Sequence, residues 1–351
     1  MRVGKYKLLG KMGFFDKNHN ETLLSNIGNP LESIHKVIDF EMFRPLLESK
    51  LLNHNKKSNA GAKPYDVLLM FKIIILQRFY GLGDKQIEYQ IIDRTSFKNF
   101  LGLSSGDKVP DEKTVWSFRE QLTRTGLIEE LFEKFQDHLD SRGMIFNEGQ
   151  IVDASFTIAP RQRNTREENS KIKLGQGEEL WTNEPNKKKH KDIDAKWTKK
   201  NGETFYGYKD HIKVDKKSKF IKAFVVTDAS VHDSQPLDML LDMSDSEQEL
   251  HGDSAFTGQK QVYIIAKYKM TNKTNEKGYK NKPLTKEQMK SNRVKSKTRA
   301  RVEHVFGFME QSMHGLYIKS VGIVRATGII GLINLTYNLF RYEQILRFKL
   351  N

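Results

Sequence analysis

The chain has 351 residues, of which 37% are hydrophobic and 29% are charged, a composition typical of a soluble globular protein with one large or two ordinary domains. Its 59 Lys and Arg residues against 44 Asp and Glu residues give a formal charge of +15, which indicates a polyanionic partner, either nucleic acid or an anionic membrane. The absence of cysteine excludes disulfides and thiolate zinc sites and suits the cytosol.

The sequence disfavours a membrane partner. The most apolar stretch, residues 67–82, is interrupted by Lys72 and Arg78 and is shorter than the ~20 apolar residues of a spanning helix. A buried core helix explains it better. The N-terminal segment, whose start at Met1 or Met12 stays open, is basic but has no apolar run and no cleavage site, so no export signal is predicted. We therefore expect a cytoplasmic protein associated with the nucleoid.

Residues 1–145 are predicted to be helical. Apolar residues recur at helical spacing in 32–52, 64–81 and 84–103, and a further amphipathic run ends at Gly143. Short helices joined by tight turns are typical of a helix-turn-helix module that binds DNA. They are equally typical of a helical bundle used for dimerisation, and the pattern does not decide between the two.

The pattern changes after Gly143 to that of an α/β domain. Residues 149–159, 205–215 and 219–230 are rich in apolar and β-branched residues and are predicted strands, the last two forming a hairpin. A helix is predicted at 233–243. The segment "ELHGDSAF" that follows is too weakly strand-like to be predicted as a strand from its own residues.

A polar, lysine-rich segment, residues 160–203, lies between the first two predicted strands. We predict a loop or small insertion, because a segment of this length in a compact domain is usually functional or disordered. Trp181 and Trp197 within it are candidates for stacking on an unpaired base.

Two helices are predicted near the C-terminus. The first runs from about Thr285 and carries a buried stripe that includes Val302 and Met309. The second, "ATGIIGLINLTYNLFRYEQIL", is predicted to be buried, with Gly328 and Gly331 at points of close packing.

Three acidic residues stand where an α/β domain of this pattern can hold a metal ion. Asp153 ends the first strand in "IVDAS", Asp253 lies in "HGDSAF", and Glu303 lies on the helix beside its buried stripe. If the first strand and the "ELHGD" segment are parallel neighbours, both aspartates emerge at the same end of the sheet, and the helix can deliver the glutamate. Carboxylates without a His or Cys cage suit Mg²⁺ or Mn²⁺, and two such ions about 4 Å apart support phosphodiester displacement.

The alternative is that these three acids share no role. The chain has 44 acidic residues, so three at suggestive places can arise by chance. Glu303 would then form only an i,i+4 ion pair with Arg299, which contributes about 0.3 kcal/mol.

The residues that precede Glu303 are strongly basic. Between Lys267 and Arg301 there are thirteen Lys and Arg residues against two acids, a concentration that favours binding of DNA phosphates beside the carboxylates. The candidate DNA contacts in this run are Arg293, Lys295, Lys297, Arg299 and Arg301. Further candidates, on the strand face beside Asp153, are Lys209 and His211, with a solvated strand face as the alternative.

Six segments in this order resemble the bacterial insertion-sequence transposases of the DDE type, in the insertion-sequence four/five group: "IVDAS", "GYKDHIKVD", "VVTDASVHDSQPL", "HGDSAF", "RARVEHVFGFM" and "INLTYNLFRY". Upstream, "VLLMFKIIILQRFYGLGDKQIEYQIIDRTSFKNFLGL" and "VPDEKTVWSFREQL" resemble the family's helical N-terminal domain. The resemblance implies an α/β fold, with an RNase H-like catalytic domain at 146–351 whose mixed sheet is flanked by helices and which contains the insertion at 160–203. It also implies an all-α domain at 1–145 that binds DNA ends, dimerises or does both.

The same resemblance implies a chemistry. Asp153, Asp253 and Glu303 would form the DDE triad, binding Mg²⁺ or its substitute Mn²⁺, two ions per site, and Arg299 would be the arginine of the family's R-x-x-x-E signature. Such enzymes bind the terminal inverted repeats of their element, cut the strands with metal-activated water and join the freed 3′-hydroxyl to target DNA. The expected partners are therefore DNA and further copies of the chain, in a homodimer or larger synaptic complex.

The sequence departs from the family pattern at two points. Ser296 and Glu310 occupy the outer positions of the broader signature Y-x-x-R-x-x-x-E-x-x-x-x-x-x-K. Fifty positions separate Asp253 from Glu303, so the large β insertion that some relatives carry there is absent. Two other interpretations stay open: a nuclease of the same fold that cuts without joining, and a catalytically silent, domesticated DNA-binding descendant.

Overall fold

The computed structural model describes residues 16–52, 63–200 and 202–350, and its N-terminal part is helical, as predicted. The possible start at Met12 lies outside the described residues. The helices there are α1 (Asp16–Ile27), α2 (Pro30–Val37), α3 (Arg44–Leu51), α4 (Val67–Phe79), α5 (Asp84–Asp93), α6 (Thr95–Leu101), α7 (Glu112–Arg124) and α8 (Leu127–Ser141).

Aspartate caps fix where several of these helices begin. The Oδ1 atom of Asp66 accepts hydrogen bonds from the backbone N–H groups of Leu68 and Leu69 at 2.9 and 3.0 Å, so α4 starts at Val67. Asp39 caps a 3₁₀ turn in the same way. That turn divides the predicted helix at 32–52 into α2 and α3.

The C-terminal part combines strands and helices. Its elements are β1 (Gly149–Ile158), α9 (Arg166–Lys173), α10 (Pro185–Lys189), β2 (Lys196–Lys200), β3 (Glu203–Asp215), β4 (Ile221–Asp228), α11 (Leu237–Leu240), β5 (Glu249–His251), α12 (Gln259–Lys267), β6 (Thr271–Asn272), α13 (Lys286–Arg299), α14 (Glu303–Gln311) and α15 (Ile323–Leu350). The described residues of the segment 160–203 therefore form a small insertion that contains α9, a 3₁₀ turn at Gly177–Glu179, α10 and β2.

These strands form one mixed sheet in the order β2-β3-β1-β5-β6, with β4 also paired to β3. β3 runs antiparallel to β1 and β4, which confirms the predicted hairpin. β1 and β5 are parallel neighbours, as are β5 and β6. With helices against both faces, the sheet confirms the predicted fold class, an α/β RNase H-like domain preceded by an all-α segment.

β3 is covered on both faces. Alternation in its sequence predicts one polar face, yet residues 206–215 are all buried. Lys213 is only 1% exposed, and its ammonium lies 2.6 Å from the carboxylate of Asp245. The polar side chains of this face are thus neutralised inside the protein rather than solvated.

The long helix α15 joins the two parts of the chain. It lies between the sheet, mainly β4, and the helices α4, α7 and α8, within one continuous apolar core. The ring of Phe340 stacks on that of Phe79, and a Cβ atom at Gly328 would lie 2.6 Å from Oγ1 of Thr123. At Gly331 a Cβ atom would lie 2.9 Å from the ring of Phe224, so the predicted close packing at both glycines is confirmed.

By length and composition alone, residues Ile323–Phe348 of α15 are apolar enough to cross a membrane. However, 78% of that apolar window is buried inside the protein. α15 is therefore a core helix, and a second, smaller core on the opposite face of the sheet is covered by α11 and α12. The division into domains at 145/146 stays a prediction, since the larger core crosses that boundary.

Candidate active site

The parallel pairing of β1 and β5 brings two of the predicted acids to neighbouring positions. Ile151 pairs with His251, and two residues further along each strand stand Asp153 and Asp253. Gly252 leaves room for the ring of Phe256 in the following turn, because a Cβ atom there would lie 2.9 Å from that ring. The Oδ1 atom of Asp253 accepts a hydrogen bond from the N–H of Ala255 at 2.8 Å and so caps the turn that follows β5.

Asp153 is largely enclosed, with a side chain 15% exposed. Its Oδ1 atom accepts a hydrogen bond from the N–H of Ala154 at 2.8 Å, and its Oδ2 atom accepts one from Nη1 of Arg299 at 3.0 Å. Burial raises the pKa of Asp153, the Ala154 N–H and the Arg299 charge oppose that rise, and the charge of Asp253 adds to it. The two carboxylates are therefore close enough to interact electrostatically.

Glu303 is the first residue of α14, with its side chain 61% exposed. The sequence predicts one long helix here, whereas the structure ends α13 at Arg299 and begins α14 at Glu303. Nη2 of Arg299 donates to Oε1 of Glu303 at 2.9 Å, so the i,i+4 ion pair that was the alternative does form. It is not the whole arrangement, because the same guanidinium also holds Asp153.

The three acids can be tested as ligands of a divalent metal ion. Among the described residues no three His, Asp or Glu side chains form a ready metal cage. The guanidinium of Arg299 is a cation between Asp153 and Glu303. With Asp253 these acids are an oxygen-only donor set that would suit a hard divalent ion, for which Arg299 would have to give up its contacts.

A lysine that no sequence pattern predicts, Lys200, also lies near the site. β2 of the insertion pairs with β3, and its Lys200 has a charge close enough to oppose the raised pKa of Asp153. Its ammonium lies 3.2 Å from Asp233, whose other carboxylate oxygen lies 2.7 Å from Lys209. No local pattern marks Lys200, because its place depends on how the insertion folds back onto the sheet.

The expectation that Lys209 and His211 contact DNA is wrong. Lys209 is 7% exposed and pairs with Asp233, and His211 is 1% exposed with its Nε2 atom 2.8 Å from Oγ1 of Thr227. Burial lowers the pKa of His211 to about 4, so it is neutral at physiological pH. Neither side chain reaches the surface, because both faces of β3 are covered.

Trp181 is likewise unsuited to stacking on a base. It is 8% exposed, its Nε1 atom donates to Glu168 at 2.6 Å, and the ammonium groups of Lys187 and Lys191 lie over its ring. Its surroundings belong to the internal packing of the insertion. The expectation that it binds DNA is therefore corrected.

The remaining DNA-contact candidates are accessible to different degrees. Trp197 is 46% exposed, with Arg161 over its ring. Arg293, Lys297 and Arg301 are exposed, whereas Lys295 pairs with Glu276 at 3.4 Å. Contact of these residues with DNA stays a prediction.

In comparison with known proteins, the chain matches two families. The family described as Transposase DDE domain matches residues 146–339, which is more than half of the chain. A second family, described as Transposase domain (DUF772), matches residues 18–121. Among solved structures, the chain is similar to the cryo-EM structure of a piggyBac transposase synaptic complex with hairpin DNA. That likeness has 12% sequence identity and a TM-score of 0.44, and it covers 92% of this chain and 76% of the other.

Proposed function

Since this chain belongs to the DDE transposase family and is a DNA transposase, we propose that it acts on the terminal inverted repeats of an insertion sequence. It cuts DNA strands at those ends and joins the freed 3′-hydroxyl groups to target DNA. Family membership implies dependence on a divalent metal ion, and we propose Mg²⁺, replaceable by Mn²⁺, with two ions per site. Membership in the insertion-sequence four/five group is part of the same proposal.

We assign the role of catalytic carboxylates to Asp153, Asp253 and Glu303. These carboxylates would hold the divalent ions, which would supply activation of the attacking oxygen and stabilisation of the leaving one. In cleavage a water oxygen attacks phosphorus and the bond to the 3′-oxygen breaks. In joining, that 3′-hydroxyl attacks a target phosphorus and the target's own 3′-oxygen leaves.

One observation carries the assignment. Asp153 on β1 and Asp253 just after β5 each follow the paired residues Ile151 and His251 by two positions, and Glu303 is joined to Asp153 through a single guanidinium, 3.0 and 2.9 Å from the two carboxylates. The linkage of Asp153 to Glu303 through Arg299, with Asp253 near Asp153 and exposed basic residues on α13, supports phosphodiester chemistry on DNA.

The proposal is tested by removing each carboxylate charge without changing the shape of the side chain. We expect Asp153→Asn, Asp253→Asn and Glu303→Gln to abolish cleavage and strand transfer in Mg²⁺, while binding of the DNA end survives within a few-fold. Glu310→Gln, which removes an exposed charge from the same helix as Glu303, is the matched control and should keep activity. Transposition by any of the three variants would show that its carboxylate is not part of the site.

Strand joining is tested separately from strand cutting. DNA ends supplied already cut, with a free 3′-hydroxyl, should be joined to target DNA by the wild-type protein. A nuclease of the same fold would yield no joined product. A silent DNA-binding descendant would neither cut intact ends nor join pre-cut ones.

We further propose that the protein works as a dimer or larger synaptic complex in the bacterial cytoplasm, at the nucleoid. An element has two ends, and joining both to one target requires that they be held together. Light scattering with and without end DNA measures the assembly. A reaction carried out by one copy of the chain on one DNA end, with no complex that contains two ends, would contradict it.

A further inference from the structure

A concave pocket of about 230 Å³ lies where the turn between β3 and β4 meets α14 and α15. Its polar lining comes from Lys219 in the turn, His304 on α14, and Arg341 and Gln344 on α15. Its apolar wall is formed by Phe308, Tyr337 and Phe340. His304 directly follows Glu303, so the pocket adjoins the proposed active site but contains none of the triad.

Two arginines are anchored to the β3–β4 turn at this pocket. Arg341 donates from Nε to the carbonyl of Ser218 at 2.8 Å and from Nη1 to Gln344 at 2.7 Å. Arg301, beside the pocket, donates from Nη1 to the carbonyl of Lys216 at 2.9 Å. The guanidinium groups are thus positioned in advance of any ligand. Nη2 of Arg341 keeps a donor without a partner among the described residues.

The positive charge here is not neutralised by the protein. Within the described residues, no Asp or Glu forms an ion pair with Lys219, Arg301 or Arg341. Burial, followed by the charges of Arg341 and Arg301, lowers the pKa of Lys219, and no carboxylate offsets that repulsion. Cations gathered without a counter-charge destabilise one another, and a bound anion reverses the effect.

We propose that this pocket binds a phosphate group of the DNA backbone. Lys219 supplies a compact charge, Arg341 supplies a fixed N–H donor, and together they match a tetrahedral oxyanion. The assignment rests on the proposed function, because under that function the substrate bound next to α14 is DNA, which carries the phosphate groups. A phosphate held here fixes the position of the duplex relative to Glu303 without reading its sequence.

The decisive variant is Lys219→Asn. Lys219 has a φ of 65°, in the left-handed region that asparagine tolerates well, so the turn is kept while the charge is lost. The matched control is Lys217→Asn in the same turn. Lys217 does not line the pocket and instead pairs with Glu148 at 2.9 Å.

DNA ends with single methylphosphonate substitutions identify the phosphate that occupies the pocket. We expect one position at which the substitution weakens binding of the wild-type protein severalfold, has no further effect on Lys219→Asn, and keeps its full effect on Lys217→Asn. Lys219→Asn should also make the plot of log K against log salt less steep, with a slope less negative by about 0.9. Equal sensitivity of the two variants at every position would overturn the proposal.

Thermal unfolding of the full chain without DNA separates a backbone phosphate from a free one. Inorganic phosphate, compared with chloride at matched ionic strength, should raise the melting temperature of the wild-type protein only slightly and that of Lys219→Asn not at all. A large rise with no sensitive methylphosphonate position would overturn the assignment to DNA. If one methylphosphonate position behaves as expected but the wild-type protein neither cleaves nor joins DNA, the proposed function is wrong while the assignment of a phosphate site to the pocket is retained.

Discussion

The guanidinium of Arg299 lies between two carboxylates, 3.0 Å from that of Asp153 and 2.9 Å from that of Glu303. Each is a charge-assisted hydrogen bond, and the one to Asp153 is only partly exposed to solvent. In this arrangement the arginine keeps the acids together and compensates their charge. A divalent ion that binds the same oxygens has to compete with it.

Arg299→Gln should therefore weaken the protein without metal and strengthen its response to metal. We expect a loss of about 2 kcal/mol in the free energy of unfolding, because Asp153 loses its ionic partner while remaining enclosed. The rise in melting temperature produced by Mn²⁺ should be larger than in the wild type. Arg293→Gln, an exposed arginine on the same helix, is the control. Equal Mn²⁺ responses in all three proteins would mean that Arg299 does not compete with the ion.

A second residue with consequences for stability is Asp210, which is 2% exposed on β3. Burial raises its pKa to about 7, although Nδ2 of Asn334 donates to it at 3.2 Å. The folded protein thus keeps the proton over a pH range in which the unfolded chain has lost it. Stability from this group is fully present below the unfolded pKa of 3.8 and is lost as pH rises towards 7.

Asp210→Asn should remove that pH dependence. At pH 8 the variant should be more stable than the wild type, by up to about 4 kcal/mol, and at pH 4 the two should be alike. Urea unfolding at a series of pH values measures the difference between the two proteins. Taking that difference removes the opposing titration of His211, whose pKa is lowered by burial. A difference that does not change with pH would mean that Asp210 is ionised in the fold.

At the scale of elements, α15 is attached to the sheet by two asparagines one turn apart. Asn334 bonds Asp210, and Asn338 bonds the backbone of Ile221, accepting from its N–H at 3.0 Å and donating to its carbonyl at 2.8 Å. The amide of Asn338 therefore takes the place of a neighbouring strand at the start of β4. The apolar burial of the helix supplies most of the stability, and these bonds set its register.

Asn338→Leu should cost about 2 kcal/mol, because the buried N–H of Ile221 is left without a partner. Thr336→Val is the control, since the hydroxyl of Thr336 bonds only the Leu332 carbonyl of its own helix. Its loss should cost less than about 1 kcal/mol. Chemical denaturation compares the two variants. If the two variants lose equal stability, the contact of Asn338 with β4 contributes no more to the free energy of unfolding than the hydrogen bond of Thr336 within its helix.

The same elements show what sequence could and could not predict. β1, β3 and β4 are long enough for their composition to predict them within a few residues. The sequence also predicts as candidate site residues the acids Asp153, on β1, and Asp253, after β5. β5 itself has three residues, too few for any period, and is a strand because β1 and β6 lie beside it. The break between α13 and α14 carries no Gly or Pro. It coincides with the bond from Arg301 to the carbonyl of Lys216, a tertiary contact that no local pattern encodes.

For the whole molecule, the larger apolar core passes from the N-terminal helices through α15 to the sheet without interruption. Phe79 on α4 stacks on Phe340, and Phe132 on α8 packs against Phe224 on β4, with ring centroids 5.1 Å apart. Each half covers apolar surface of the other. The predicted domains are therefore expected to depend on one another.

We expect the full chain to unfold in a single transition, with equal calorimetric and van't Hoff enthalpies. A fragment of residues 146–351 should aggregate or bind a hydrophobic dye, because one face of α15 loses its cover. Scanning calorimetry and light scattering provide the measurements. A monomeric fragment with its own cooperative melting transition would show that the two segments are independent domains.

The position of α15 in the chain has a consequence during synthesis. α4 and β4 leave the ribosome well before α15, and the apolar surface by which each contacts α15 has no cover until that helix follows. The nascent polypeptide therefore exposes apolar surface until α15 has been synthesised, a state that favours aggregation or binding by chaperones. A premature stop codon ahead of Ile323 would leave every polypeptide in that state permanently.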